Sequence, residues 1–162
     1  MSPDQPRPFF SPEDMPKSEY YEPKLQPGEK PVPSILVDAE KLHRLLKRAK
    51  WMMSGEDRRT YWEPAFNGIR EVIREFVLAH DFQDNRLEHL ERMCGAVALF
   101  IRDMRDIGET GAIRVHPKYE SMKPDEMKLE LYNRVASLDE GVTKWRKSII
   151  RATKNKGTPG SE

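Results

Sequence analysis

Glu40-Lys41-Leu42-His43 sets a carboxylate and an imidazole three residues apart, the spacing at which one helix offers two metal ligands. A carboxylate-bridged metal pair inside a helical bundle needs that motif twice, plus two further inward glutamates. The sequence contains it once, within a run of surface charge, so a charged helix face accounts for it better. His80, His89 and His116 fall on three separate segments, and the first two have no ligand-type residue at helical spacing. Cys94 sits in the apolar register of a helix and reads as a small core residue. Gly-x-Ser-x-Gly, a phosphate-cradling glycine loop and a dinucleotide fingerprint are all missing from the sequence. The expectation is a protein without catalytic residues, metal or cofactor.

Positive charge is the remaining chemistry. Residues 41–50, KLHRLLKRAK, carry Lys41, Arg44, Lys47, Arg48 and Lys50 with no acid among them. Residues 144–156 carry Lys144, Arg146, Lys147, Arg151, Lys154 and Lys156, again with no acid. On a helix, 144, 147, 151 and 154 share one stripe, because steps of three and four return to the same face. That stripe lies about 100° from the apolar register, so a helix can bury Trp145 and still present a basic ridge. A ridge of this kind binds phosphates by counterion release, which is sequence-blind and salt-sensitive. It is also what a solvated helix shows near its C-terminus, where the helix dipole favours cations. Charge alone leaves both readings open. With a net charge of +1 over 162 residues, any attraction for phosphate is local, not global.

The elements that position these charges are helical. Nine of the 13 prolines fall in residues 1–33, which predicts an extended or irregular proline-rich arm carrying Phe9, Phe10, Tyr20 and Tyr21. From Ser34 onward, Leu42, Leu45, Leu46, Ala49 and Met53 recur at helical spacing, with Gly55 as terminator. Thr60 and Glu63 have capping-box spacing ahead of Phe66, Ile69, Val72, Ile73, Phe76 and Val77. Leu87, Leu90, Cys94, Val97, Ile101 and Met104 alternate steps of three and four, a seven-residue repeat suited to shallow helix packing, and the Gly108/Gly111 pair signals the stop. In the last helix Ser121 is a candidate N-cap, and the buried register is Leu131, Val135, Leu138, Val142, Trp145 and Ile149. Strand-like alternation is absent from the sequence. The expected architecture is all-α: an up-down antiparallel four-helix bundle over 34–154, a proline-rich arm over 1–33 and a flexible tail over 155–162.

The N-terminal MSPDQPRPFFSPEDMP has no charged region followed by an apolar run, and no stretch approaches the roughly 18–20 apolar residues of a membrane span. With a single cysteine, this predicts a soluble cytoplasmic protein. In an up-down bundle the two basic runs lie toward opposite ends, so one chain offers two separated patches that only an oligomer would join.

The order of segments carries a resemblance. "RRTYWEP" follows the first helix, and the second ends in "FVLAHD". A long helix, "RLEHLERMCGAVALFIRDMRDI", comes next, then a loop with Lys118-Tyr119 and a last helix closing on "LDEGVTKWRKS". Over about residues 36–152 this is similar to the accessory variability determinant (Avd-like) proteins of diversity-generating retroelements. These are grouped with the four-helix-bundle proteins encoded in ribosomal RNA intervening sequences. The resemblance implies a homopentameric barrel of four-helix bundles. It also implies that a cationic last helix binds template RNA or other nucleic acid, and that the protein partners a reverse transcriptase in complementary DNA synthesis for mutagenic retrohoming. Two features depart from the family pattern: the low net charge, and the additional arm, which has four basic residues against six acidic ones. The competing expectation is a helical protein–protein adaptor whose proline-rich arm recruits a partner without nucleic acid.

Overall fold

The computed structural model describes residues 33–82 and 84–156, and among these the chain is almost entirely helical, with no strand. The expected arm lies outside the described residues apart from Pro33, as does the tail from 157 onward. Four long helices follow one another: α1 (Ser34–Ala49), α2 (Glu63–Asp81), α3 (Arg86–Thr110) and α4 (Pro124–Lys156). Each packs on two others, α1 on α2 and α4, and α3 on α2 and α4, so their apolar faces meet in a common interior. The α2–α3 pair is the most extensive, and α1–α4 is next. No helix of the described residues is long and apolar enough to cross a membrane.

In α1 the expected face is the buried one: Leu42, Leu45, Leu46, Ala49 and, beyond the helix, Met53 are all at most 1% exposed. The helix tightens into a 3-10 turn at Lys50–Met52 before Met53 turns extended. The next helical run starts earlier than Thr60. Ser54 is its cap, with its hydroxyl accepting from the Asp57 N–H at 3.2 Å, so Gly55 opens a helix instead of ending one. Between Asp57 and α2 the backbone widens into a π turn, Arg58–Trp62, closed by the Glu63 N–H donating to the Arg58 carbonyl. Pro64 explains the widening, since it has no N–H to give to residue 60, and a π turn absorbs the missing bond at a helix start.

In α3 the buried residues are Leu90, Met93, Val97, Phe100 and Ile107. Cys94 and Ile101 are half-buried and Leu87 is exposed, so the true seam runs one position from part of the expected register. The helix ends as its glycines predict, with Gly111 in the left-handed conformation at φ 66°. α4 is not capped by Ser121. Pro124 is its first residue, and the Lys123 N–H donates to the Glu126 carboxylate at 2.8 Å. It continues to Lys156, two residues past the expected end. Leu131, Leu138 and Val142 are buried, whereas Val135, Trp145 and Ile149 are half-buried, and Trp145 tilts against Phe76 at 5.0 Å.

Two features fix α1 relative to the rest. Gly141 of α4 faces Ile35 of α1, and a Cβ there would lie 3.3 Å from Ile35 Cγ1, so the missing side chain permits a close approach. Asp38, 6% exposed, accepts from Arg134 at 2.9 Å and from the Ser137 hydroxyl at 2.7 Å. At the other end of α1 the 111–123 connection is buckled down. The Arg114 and Val115 N–H groups both donate to the Met52 carbonyl (3.0 and 2.9 Å), and Arg48 pairs with Glu120.

Candidate nucleic-acid interface

The nine basic residues expected to form a contact surface do not share one environment. Lys41 is 1% exposed and therefore is not on the surface. It lies three residues after Asp38 and four before Leu45, on the face of α1 that is buried. Arg48 is half-buried against Glu120, and its guanidinium Nε lies 3.2 Å from both carboxylate oxygens. That pair, together with the Met122 N–H, holds the Glu120 carboxyl below its ordinary range, although burial alone pushes it up. Arg146 is half-buried, and its guanidinium bonds Glu91 of α3 at 3.2 Å. Burial takes Lys41 off the surface, whereas Arg48 and Arg146 are held by acids of the 111–123 connection and of α3.

The other six lie on the surface. Lys144, Lys147, Arg151 and Lys154 are all exposed along the outer side of α4, as the stripe requires. Lys144 reaches Glu140 one turn back at 3.3 Å, an exposed i,i+4 pair of small energetic weight. Arg44 and Lys47 are exposed on α1.

Around Arg44 and Lys47 the structure assembles a cluster that helical spacing along one segment does not reveal. Trp62, Phe66 and Arg70 are one turn apart along the π turn and α2, so they form a ladder on one side of the helix. The Trp62 ring stacks on Phe66 at 4.5 Å and 15°, and Phe66 stacks on His43 of α1 at 4.7 Å and 23°. The row is anchored from below, because the Trp62 indole N–H donates to the Leu46 carbonyl at 2.6 Å. Cations surround it. Lys50 Nζ lies 4.8 Å from the Trp62 ring centre and 5.2 Å from that of Trp51. The Arg58 guanidinium sits 5.2 Å from the Trp51 ring, and that of Arg70 sits 6.0 Å from the Phe66 ring. Trp51 is 46% exposed, and His43 and Phe66 are half-buried.

The His43 imidazole registers the local field. Burial lowers its pKa first, and the charges of Lys47, Arg70 and Arg44 lower it further against the opposing pull of Glu40. The ring is therefore neutral at pH 7, with positive charge gathered around it. Among the described residues, Arg44, Lys47 and Arg70 make no ion pair with an acid.

The remaining histidines are engaged elsewhere: His80 with Asp81, His89 with Glu75 at 2.8 Å, and His116 with the Glu120 carbonyl. Among the described residues no three His, Cys, Asp or Glu side chains come together as a metal site. No family model matches the chain, and neither a curated protein nor a solved structure matches it.

Proposed function

We propose that this chain is a non-catalytic, nucleic-acid-binding scaffold with two cationic surfaces, one on α4 and one where α1 meets α2. The observation that carries the proposal is the set of exposed cations that make no ion pair among the described residues, Arg44, Lys47 and Arg70, gathered around one imidazole. Lys147 and Arg151 extend the same chemistry to the outer side of α4. A net charge near zero makes this a local device, in which a few phosphates are bound at defined places.

The resemblance to the Avd-like proteins gives the proposal its biological form. The chain is an accessory protein that associates with a reverse transcriptase and its template RNA, supporting complementary DNA synthesis in a diversity-generating retroelement. The helix order and the cyclic packing of α1 to α4 support reading the fold as an up-down four-helix bundle. The exposed apolar side chains Leu99, Leu129 and Tyr132 (63%, 61% and 75%) support a homo-oligomer, a pentamer by resemblance, in which a neighbouring copy covers the outer sides of α3 and α4.

Binding of labelled template RNA across a salt series tests this reading. Lys147→Glu with Arg151→Glu should weaken binding at least about tenfold and flatten the dependence of log affinity on log salt by roughly two phosphate contacts. A parent chain that binds no RNA and does not co-purify with a co-expressed reverse transcriptase refutes it. Intact RNA binding by the charge-reversed protein would remove the α4 stripe from the contact surface and leave the α1–α2 cations to carry it.

A further inference from the structure

We infer that the His43–Phe66–Trp62 row and its ring of cations form a binding site for unpaired nucleotides of a single-stranded nucleic acid. The inference rests on the nucleic-acid reading above and adds which form of nucleic acid the α1–α2 surface selects.

Phosphate binding requires only charge, and the α4 stripe supplies charge without any ring. The α1–α2 site differs in having three rings stacked in register, two of them half-buried, next to exposed Arg44, Lys47 and Arg70. Nucleotides are the ligands whose parts match both halves at once: a base to extend the row at half-buried His43, the end opposite buried Trp62, and a phosphate a few ångströms away for the cations. In a duplex the base faces are already stacked on one another, so the rings have nothing to gain from it. An acidic peptide would satisfy the cations and leave the row idle. Trp62 is the anchoring ring, 8% exposed and hydrogen-bonded to α1, which holds Phe66 and His43 in place before any ligand arrives. Neutral His43 adds a ring nitrogen able to accept from a base amino group.

The test is fluorescence anisotropy with the full chain and four probes: a mixed-sequence single-stranded RNA, the DNA of the same sequence, and each annealed to its complement. The parent should prefer single strands, with the RNA and DNA arms distinguishing which of the two it favours. His43→Ala should lower single-strand affinity about tenfold, the effect of one lost stacking partner, and leave duplex affinity unchanged. His43→Phe should restore the preference, because it returns a ring without the imidazole nitrogens. Arg44→Glu with Lys47→Glu, at exposed positions, should lower binding of single strands and steepen nothing in the melting curve. A parent that binds neither strand form sinks the proposed function. Binding without a single-strand preference, equal losses on both forms for His43→Ala, or competition by polyglutamate matching that of RNA overturns this inference and leaves the function standing.

Discussion

Replacing Asp38 with alanine should cost about 3 kcal/mol of stability, and the number follows from the contacts that fasten α1 to α4. Asp38 receives two hydrogen bonds, one from the Arg134 guanidinium at 2.9 Å and one from the Ser137 hydroxyl at 2.7 Å. Hydrogen bonds to charged groups contribute roughly 1.5–3 kcal/mol each when removed. The desolvation penalty on the Arg134 side is at the low end, because its side chain keeps 25% of its surface in contact with solvent. Those terms give about 3 kcal/mol, less than the full cost of breaking a deeply buried pair. Asn at this position retains the shape and an acceptor but loses the charge, so it should cost about 1–2 kcal/mol. Urea denaturation of the parent, Asp38→Ala, Asp38→Asn, Arg134→Met and the double variant Asp38→Ala/Arg134→Met measures each loss and the coupling energy between the two side chains. The midpoints should fall while the slope m stays constant, and Tm should drop by roughly 10 °C for Asp38→Ala. A loss below about 1 kcal/mol, or a coupling near zero, would refute the reasoning that this pair fixes the α1–α4 register.

The remaining expectations concern acid stability, the cysteine and two glycines. Glu75 is buried, which alone raises its pKa, but the His89 hydrogen bond, Glu71 and the charges of His89 and Arg74 outweigh burial and lower it. Glu120 is likewise lowered, by Arg48. A depressed folded pKa means stability that is complete above the ordinary glutamate value of 4.5 and is lost as pH falls through the lower folded values. Tm should therefore be nearly flat down to about pH 5 and fall below it, and Glu75→Gln should make that acid limb shallower. Burial pushes the Cys94 thiol up despite the neighbouring Arg146, so iodoacetamide at pH 8 should alkylate the native protein at least about tenfold more slowly than the urea-unfolded chain. Gly111→Ala places a Cβ at φ 66° and should destabilise by about 1–2 kcal/mol in urea titrations, whereas Gly95→Ala, in open space on α3, should stabilise by about 0.5–1 kcal/mol.

The helical segments were legible because their apolar residues recur with a helical period. α1 has a single stripe, and every residue expected on it is buried. α3 was harder, since Leu87, Cys94 and Ile101 form one heptad row and Met93, Phe100 and Ile107 form a neighbouring one. Only contact with α2 and α4 decides which row is inside. The caps were misjudged where a better local donor–acceptor pair competed: Ser54 with Asp57 over Thr60, and Lys123 with Glu126 over Ser121. The exposed half of the candidate site, Arg44 and Lys47, could be read from one helix. Arg70 and Phe66 could not be joined to it, because the neighbour that unites them is His43 on a different helix. Trp62, Phe66 and Arg70 do repeat every four residues, a signal hidden by assigning Phe66 to the core. Arg146 looked free for the same non-local reason, its acid lying 55 positions earlier in the chain.

The clasp between α1 and α4 also dictates an order of events during folding. α2 and α3 are separated by only four residues, 82–85, and share the largest interface, so they can pair as soon as both helices form. The bond from Arg134 to Asp38 closes a separation of 96 positions, and its loop-closure entropy is repaid only once the α2–α3 hairpin offers a surface to land on. On that order, the pair sealed last should be the first to open. Native-state hydrogen exchange should show α1 and the middle of α4 opening together in a sub-global step, ahead of the α2–α3 core. Equal protection in all four helices would contradict that order. Since Arg44, Lys47 and His43 all ride on α1, that same opening would dismantle the aromatic row, tying the lifetime of the candidate site to the least protected unit of the fold.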